Sequence, residues 1–327
     1  MRIWQVEELG EPQDALSLKE VPRPQALPGT AVVDVRACSL NFPDVLLCRG
    51  KYQVRPPLPF TPGLECAGVV RELGTGVTGV AVGQRVIALP ALPDGALCES
   101  VRVAGDALYP IPDSLSDEEA ACLFATYQTA WFSLHRRGGL RSGETVLVHA
   151  GAGGVGSAAI QLAKAAGARV LATAGGPEKV AACVALGADL GVDYRTDDFV
   201  PAVMDATDGR GVDVVFDPVG GETLHRSLKC MAWEGRLLVV GFAGGEIPEV
   251  PANRVLLKNI SLVGVHWGPY LQHSRGLVDD CHDTLMDLHA AGRVKPLVTA
   301  RAPFEEAPQA LAALAARETY GKTVICP

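Results

Sequence analysis

Residues 145–167, TVLVHAGAGGVGSAAIQLAKAAG, constrain this chain more than any other stretch. Val146, Leu147, Val148 and Ala150 form an apolar run that reads as a buried strand, and Val155, Ala159, Ile160, Leu162, Ala163 and Ala166 then share one broad helical face that ends at Gly167. Between the two, Gly151, Gly153 and Gly156 make G-x-G-x-x-G. After a strand and before a helix, that spacing permits a sharp turn, close approach of backbone to a pyrophosphate and tight helix–strand packing. A chain with 36 glycines produces the bare pattern by chance, so the flanking strand and helix carry the argument. The turn makes Gly151, Gly153, Gly154, Val155 and Gly156 candidate cofactor contacts, because the first N–H groups of a helix and its positive dipole end face an anion.

Downstream the rhythm is strand, helix, strand. Strands are expected at 145–150, 169–174, 191–194, 212–217, 236–241 and 260–266, with helices near 178–186, 199–206, 223–231 and 253–257. Six strands so connected predict an α/β, doubly wound parallel sheet in the order 3-2-1-4-5-6. Upstream, residues 1–112 carry short apolar runs (30–37, 67–73, 85–89, 97–103) broken by Gly and Pro, the pattern of a mostly β unit. Ser116, followed by Asp117, Glu118 and Glu119, opens a helical region reaching about His135, and the domain junction is expected inside it. After Trp267 come two helical stretches and a strand at 323–325, too little for a further domain, so the tail is expected to return to the first. The resulting division is 1–122 with 268–327, and 123–267.

Composition narrows the function. A net charge of -8 argues against a broad nucleic-acid or anionic-membrane surface. The 9 cysteines include no C-x-x-C pair and suggest neither a zinc knuckle nor a disulfide framework, so they read as buried free thiols. No apolar run reaches 18 residues and the N-terminus lacks a signal-like apolar segment, from which a cytoplasmic location is expected. Gly321-Lys322-Thr323 lacks the upstream glycine and following helix of a P-loop.

An NAD-preferring site places an acid at the end of the second strand, about 20 residues past the glycines. Here that strand ends Thr173-Ala174-Gly175-Gly176, and the first acid is Glu178. Pro177 reads as the first residue of the next helix, so Lys179 sits in its first turn, where a cation opposes the dipole by about 0.3–1 kcal/mol. A nearby anion relieves that, and the 2′-phosphate of NADP is the candidate; a solvated Lys179 offset by Glu178 explains the same residues.

The β-rich first half, VLVHAGAGGVG, and the short C-terminal return resemble the medium-chain dehydrogenase/reductase superfamily, and within it the quinone oxidoreductase (zeta-crystallin-like) branch. ACSLNFPDVLLCRGKY (37–52), PFTPGLECAGVV (59–70) and RETYGKTVI (317–325) carry the resemblance over essentially the whole chain. It implies a GroES-like β-rich catalytic domain plus a Rossmann nucleotide-binding domain. It also implies that Lys179, Tyr194 and Arg317 surround the NADPH 2′-phosphate and that Thr129 lies near the nicotinamide carboxamide. Val240 and Gly241 end the fifth strand at the carboxyl edge of the sheet, where such folds bind ligands, and Thr173 and Gly175 at the end of the second strand are cofactor candidates with them. Zinc enzymes of the superfamily use a cysteine, a histidine and a second cysteine where this chain has Asn41, Leu64 and Ala125, side chains that cannot form a tetrahedral N/S site, so no metal is expected.

A reductase without a Lewis acid must stabilise charge on the acceptor oxygen by hydrogen bonds. By resemblance, Asn41 and Tyr52 face the nicotinamide end of the ligand cleft, with Tyr52 as proton donor and Asp44 one helical turn from Asn41 to orient it. Asn41 capping a short helix, Asp44 as first-turn charge and Tyr52 as a packed aromatic are the competing structural readings. The expected activity is hydride transfer from NADPH to a small-molecule electrophile, a quinone or an activated enone. Two alternatives are an enoyl-thioester or 2-alkenal reductase and a non-catalytic, crystallin-like NADPH-binding protein. The apolar strand at 260–266 would be costly to leave as an open edge, and a homodimer through it is expected.

Overall fold

The computed structural model describes all 327 residues, in two compact units: Met1–Phe124 with Pro296–Pro327, and Ala125–Lys295.

In the first unit a seven-stranded sheet runs in the order Val298–Pro303, Lys322–Cys326, Thr30–Ser39, Cys66–Leu73, Arg85–Ala88, Leu108–Pro110, with Ser100–Ala104 also paired to Thr30–Ser39. Thr30–Ser39 is its hub, because a mostly apolar ten-residue strand can be buried along nearly all its length. A hairpin-like pair, Arg2–Val6 with Leu16–Glu20, stands apart from this sheet and is absent from the pattern read in the sequence. The tail does return: Lys322–Cys326 pairs with Thr30–Ser39 through Val324 and Ile325, and Phe304, Ala307 and Leu311 enter the core beside Ile3, Trp4 and Val6.

The second unit is a six-stranded, all-parallel sheet. In order of first appearance along the chain its strands are Thr145–Val148, Arg169–Ala174, Leu190–Asp193, Val212–Asp217, Met231–Val239 and Ser261–Gly264, and they lie side by side as 3-2-1-4-5-6. Every residue of Thr145–Val148 is buried, as a central parallel strand covered on both faces requires. Ser116 accepts a hydrogen bond from the Glu119 N–H and starts Asp117–Leu123; the chain passes to the second unit just after it, at Ala125.

The second crossing comes later than expected. Residues 268–295, assigned from sequence to the returning tail, belong to the second unit. Helix Arg275–Ala290 is tied to Ala125–Trp131 by the buried Gln128 side chain, which donates to Val278 O at 3.0 Å. Gln161 holds the end of the segment, donating to Lys295 O at 3.0 Å and accepting from the Lys295 N–H at 2.6 Å. Buried amides need such partners, and sequence spacing alone does not show which helix supplies them.

Candidate active site

In the second unit, strand Thr145–Val148 ends in a turn that puts non-glycine Ala150 at φ 50°, a strained conformation of the kind concentrated at functional turns. Gly151 donates its N–H to Thr173 O at 2.9 Å, and Gly153 donates to Ala150 O at 2.9 Å and is the N-cap of helix Gly154–Ala165. The glycines divide by role. A Cβ at Gly156 would lie 2.2 Å from Ala150 O, and one at Gly151 2.9 Å from Cys183 Sγ, so these two permit the packing of helix on strand. Gly153, Gly154 and Val155 are half-buried at the start of the helix, where the Gly153 N–H is taken by Ala150 O and the N–H groups of Gly154 and Val155 have no acceptor within the helix, the place where an anion can be met. Val240 and Gly241 lie half-buried just past strand Met231–Val239, Val240 donating to Asp217 O at 3.0 Å, at the carboxyl edge of the sheet.

The second strand ends at Ala174, followed by Gly175 and by Gly176 at φ 97°. Asp193 fastens this turn, its Oδ1 accepting from Gly176 N at 2.9 Å and from Arg195 N at 3.0 Å, hydrogen bonds that hold its carboxyl below the usual range. Gly175 is required by close approach, since a Cβ there would lie 2.6 Å from the Tyr194 hydroxyl and 3.1 Å from Arg195 Nε. Gly175, Tyr194 and Arg195 are therefore neighbours. The Lys179 ammonium is pushed below its usual pKa by burial first and then by the Arg195 charge, so two cations crowd the same turn. Arg195 was not picked out by sequence reading; its signal is only its place next to Tyr194, and no motif marks it.

Two cofactor candidates turn inward. The Thr173 hydroxyl pairs with His149 Nδ1 at 2.9 Å, leaving its backbone carbonyl to hold the glycine turn. Thr129 donates its hydroxyl to Ala125 O of its own helix at 2.7 Å, which leaves only the oxygen lone pairs. Arg317 is exposed, at φ 60°, in the first unit, whereas Lys179, Tyr194 and Arg195 belong to the second.

In the first unit, Asn41 precedes helix Phe42–Cys48 and Asp44 lies in its first turn. The fully buried Asp44 carboxylate accepts from Asn41 N at 2.8 Å and from Gly63 N at 2.9 Å, and burial still raises it to about 6. Asp44 thus pins the strand-to-helix corner to the loop at Gly63. Asn41 is 9% exposed and its amide is directed inward, donating to Glu65 Oε1 at 2.9 Å and Ser39 O at 3.2 Å and accepting from Lys322 Nζ at 2.6 Å. Sequence reading missed Glu65 and Lys322, because a charged side chain just before a strand or at its first position reads as solvent-facing. Tyr52 lies in the loop after this helix, half-buried against the core. Burial, then the Asp44 charge, raises its pKa, so the phenol stays protonated as a hydrogen-bond donor. No three His, Cys, Asp or Glu side chains gather in a way that could hold a metal ion.

A parallel 3-2-1-4-5-6 sheet with a glycine turn at its first strand, joined to a β-rich unit carrying polar side chains, is the make-up of a nucleotide-dependent oxidoreductase. The comparisons agree. An alcohol dehydrogenase GroES-like domain matches residues 27–113 and a zinc-binding dehydrogenase domain matches 154–281. Mouse quinone oxidoreductase-like protein 2 is 39% identical over 317 residues, covering 96% of this chain and 90% of its own. A probable oxidoreductase from Mycobacterium abscessus superposes with TM-score 0.90 at 40% identity over 100% of this chain and 99% of its own. The Escherichia coli quinone oxidoreductase complexed with NADPH superposes with TM-score 0.92 at 29% identity, each chain covered in full. The chain belongs to the medium-chain dehydrogenase/reductase superfamily, in its quinone oxidoreductase branch.

Proposed function

We propose that the protein is a zinc-independent, NADPH-dependent oxidoreductase acting on quinones or activated enones. The observation that carries the cofactor choice is the turn at 175–179 and 193–195. It holds Lys179 and Arg195 close enough to repel, a repulsion larger than the attraction of Lys179 to Glu178, while Asp193 is spent on the Gly176 and Arg195 N–H groups. A 2′-phosphate relieves that repulsion, and a bare ribose does not. Gly153, Gly154 and Val155 would receive the pyrophosphate, with Val240 and Gly241 farther along the sheet edge. Thr129 would offer its hydroxyl oxygen as an acceptor to the carboxamide, and Arg317 is the remaining candidate for the 2′-phosphate.

NADPH, when bound, supplies a hydride from its nicotinamide ring. The protein's share is to stabilise the oxygen that gains charge, and Tyr52 is the group suited to donate to it, since its phenol is neutral and partly screened from water. Zinc independence rests on donor chemistry: Asn41 has its amide committed to Lys322 and Glu65, and Leu64 and Ala125 offer no donor atom. Quinones and enones suit such a site because delocalisation already lowers the energy of the anion formed. A cytoplasmic location accords with nine free cysteines, eight of them buried. A homodimer through the edge strand Ser261–Gly264 accords with exposed Leu262 on it and Leu256 and Leu257 beside it in the chain.

Steady-state kinetics with both cofactors and a panel of quinones, enones and short enoyl thioesters tests the reading. NADPH is expected to exceed NADH in kcat/KM by about tenfold or more, one ion pair of about 1.4 kcal/mol sufficing. Equal use of the two cofactors, or turnover confined to thioesters, overturns the cofactor or the substrate assignment respectively. NADPH binding with no hydride transfer to any acceptor favours the non-catalytic alternative.

A further inference from the structure

Glu65 and Lys322, the two charged partners of the Asn41 side-chain amide, are deeply buried, at 0% and 4% exposure, and the hydride-transfer scheme above does not use them. Lys322 Nζ donates to Asn41 Oδ1 at 2.6 Å and to Leu40 O at 2.9 Å and lies 3.7 Å from Glu65 Oε1. Glu65 Oε1 takes one Asn41 Nδ2–H at 2.9 Å, and Ser39 O takes the other at 3.2 Å. A side-chain amide has two N–H donors and one carbonyl, and all three are engaged. Their orientation admits no exchange. An ammonium only donates and a carboxylate only accepts, so rotating the amide by half a turn would set N–H against Lys322 and oxygen against Glu65.

Such a pair is a poor way to gain stability. Desolvating a carboxylate and an ammonium costs more than their attraction reliably returns, and apolar side chains of similar size serve the fold as well or better. The residues are also far apart in sequence, 281 positions between Asn41 and Lys322, so the cation reaches Asn41 only because Lys322–Cys326 folds back beside Thr30–Ser39. The stretch they meet at holds the start of helix Phe42–Cys48, from which the chain runs on to Tyr52.

We propose that Lys322 and Glu65 are positioning residues of the hydride-acceptor site: by clamping the Asn41 amide from both sides they set the corner that carries the helix and hence Tyr52, and delivering Lys322 is the functional task of the C-terminal return. This deepens the oxidoreductase reading and rests on it. With every polar atom of the Asn41 amide held inward, Asn41 is itself part of the clamp, and Tyr52 is left as the donor that meets the acceptor.

Three variants and the unaltered protein test this, with 1,4-benzoquinone and 2-cyclohexenone as acceptors, NADPH binding followed by its fluorescence and folding by thermal melts. Lys322→Met strands a buried carboxylate, and both Tm and kcat are expected to fall, kcat by about 100-fold as for a displacement of roughly 1 Å. Glu65→Gln keeps an acceptor for Asn41 Nδ2–H and is expected to lose less. In Glu65→Gln/Lys322→Met both members of the pair are uncharged and the buried Asp44 carboxylate loses a cation and an anion together, so much of the Tm lost in Lys322→Met is expected to return while kcat stays at least about tenfold down with the NADPH dissociation constant unchanged. Recovery of kcat together with Tm would mean that the pair serves the fold alone and would overturn the inference. In the unaltered protein the Asn41 side-chain amide protons are expected to exchange slowly by NMR; exchange at the rate of a solvated amide overturns the clamp even if no variant folds. An unaltered protein that binds NADPH and reduces neither acceptor overturns the quinone or enone reading, and the inference falls with it.

Discussion

Tyr52 shows what a single residue contributes here. Its phenol is held neutral by burial and by the nearby Asp44 charge; in the proposed function its service is a hydrogen bond to the acceptor oxygen, and Tyr52→Phe should then lower kcat by about 100-fold with little change in NADPH affinity. An unchanged kcat in stopped-flow or steady-state assays would remove it from the chemistry. At the turn proposed to hold the 2′-phosphate, Lys179→Ala and Arg195→Ala should each weaken NADPH binding by about tenfold and leave NADH binding as it was, which isothermal titration would show. His149 is a different kind of case. It is fully buried between the Thr173 and Ser227 hydroxyls, and burial, then the Arg226 charge, lowers it from 6.5 to about 3. A base whose folded pKa is depressed binds its proton more readily when unfolded, so its stabilising contribution is present above about pH 6.5 and is lost as the pH falls towards 3. Between about pH 7 and about pH 5 the loss is on the order of 2 kcal/mol, and urea melts of His149→Gln should show that slope removed. Sequence reading placed His149 in the fingerprint strand without a role, because nothing local announces that its ring faces two hydroxyls 24 and 78 residues away.

At the scale of elements, the glycine turn and the strand and helix it joins form one unit. Gly156 is the tightest point, a Cβ there falling 2.2 Å from Ala150 O and 2.9 Å from Gly151 Cα, both backbone that cannot step aside. Gly156→Ala should cost about 3 kcal/mol of stability by chemical denaturation and should impair NADPH binding, whereas Gly153→Ala, with its nearest contact at 3.2 Å, should be milder. Equal effects would mean that helix–strand packing is not what the motif protects. Elements such as Arg169–Ala174, Val212–Asp217 and Phe199–Ala206 were legible to the residue in the sequence, because apolar periodicity and turn residues act locally. The strands Arg2–Val6 and Val298–Pro303 were not: each is short, is held by a partner strand, and carries no continuous apolar run to mark it.

For the whole molecule, the proposed dimer rests on the edge of the parallel sheet. Ser261–Gly264 pairs on one side only, and Leu256 and Leu257 just before it are 73% and 69% exposed, apolar surface that an isolated chain would leave in water. The protein should sediment as a dimer at micromolar concentration, and Leu256→Glu/Leu257→Glu should yield a folded monomer; an unaltered protein that is already monomeric would refute the interface. The sequence by itself determined the two kinds of unit, the order of the parallel strands and the glycine turn, since each follows from spacings within about thirty residues. The tertiary structure alone decided that 268–295 stays with the second unit, that Arg195 stands beside Lys179, and that Lys322 closes on Asn41 and Glu65. Local patterns state what a segment can bury, but a charge acquires its meaning from the groups that surround it, and those arrive from distant parts of the chain.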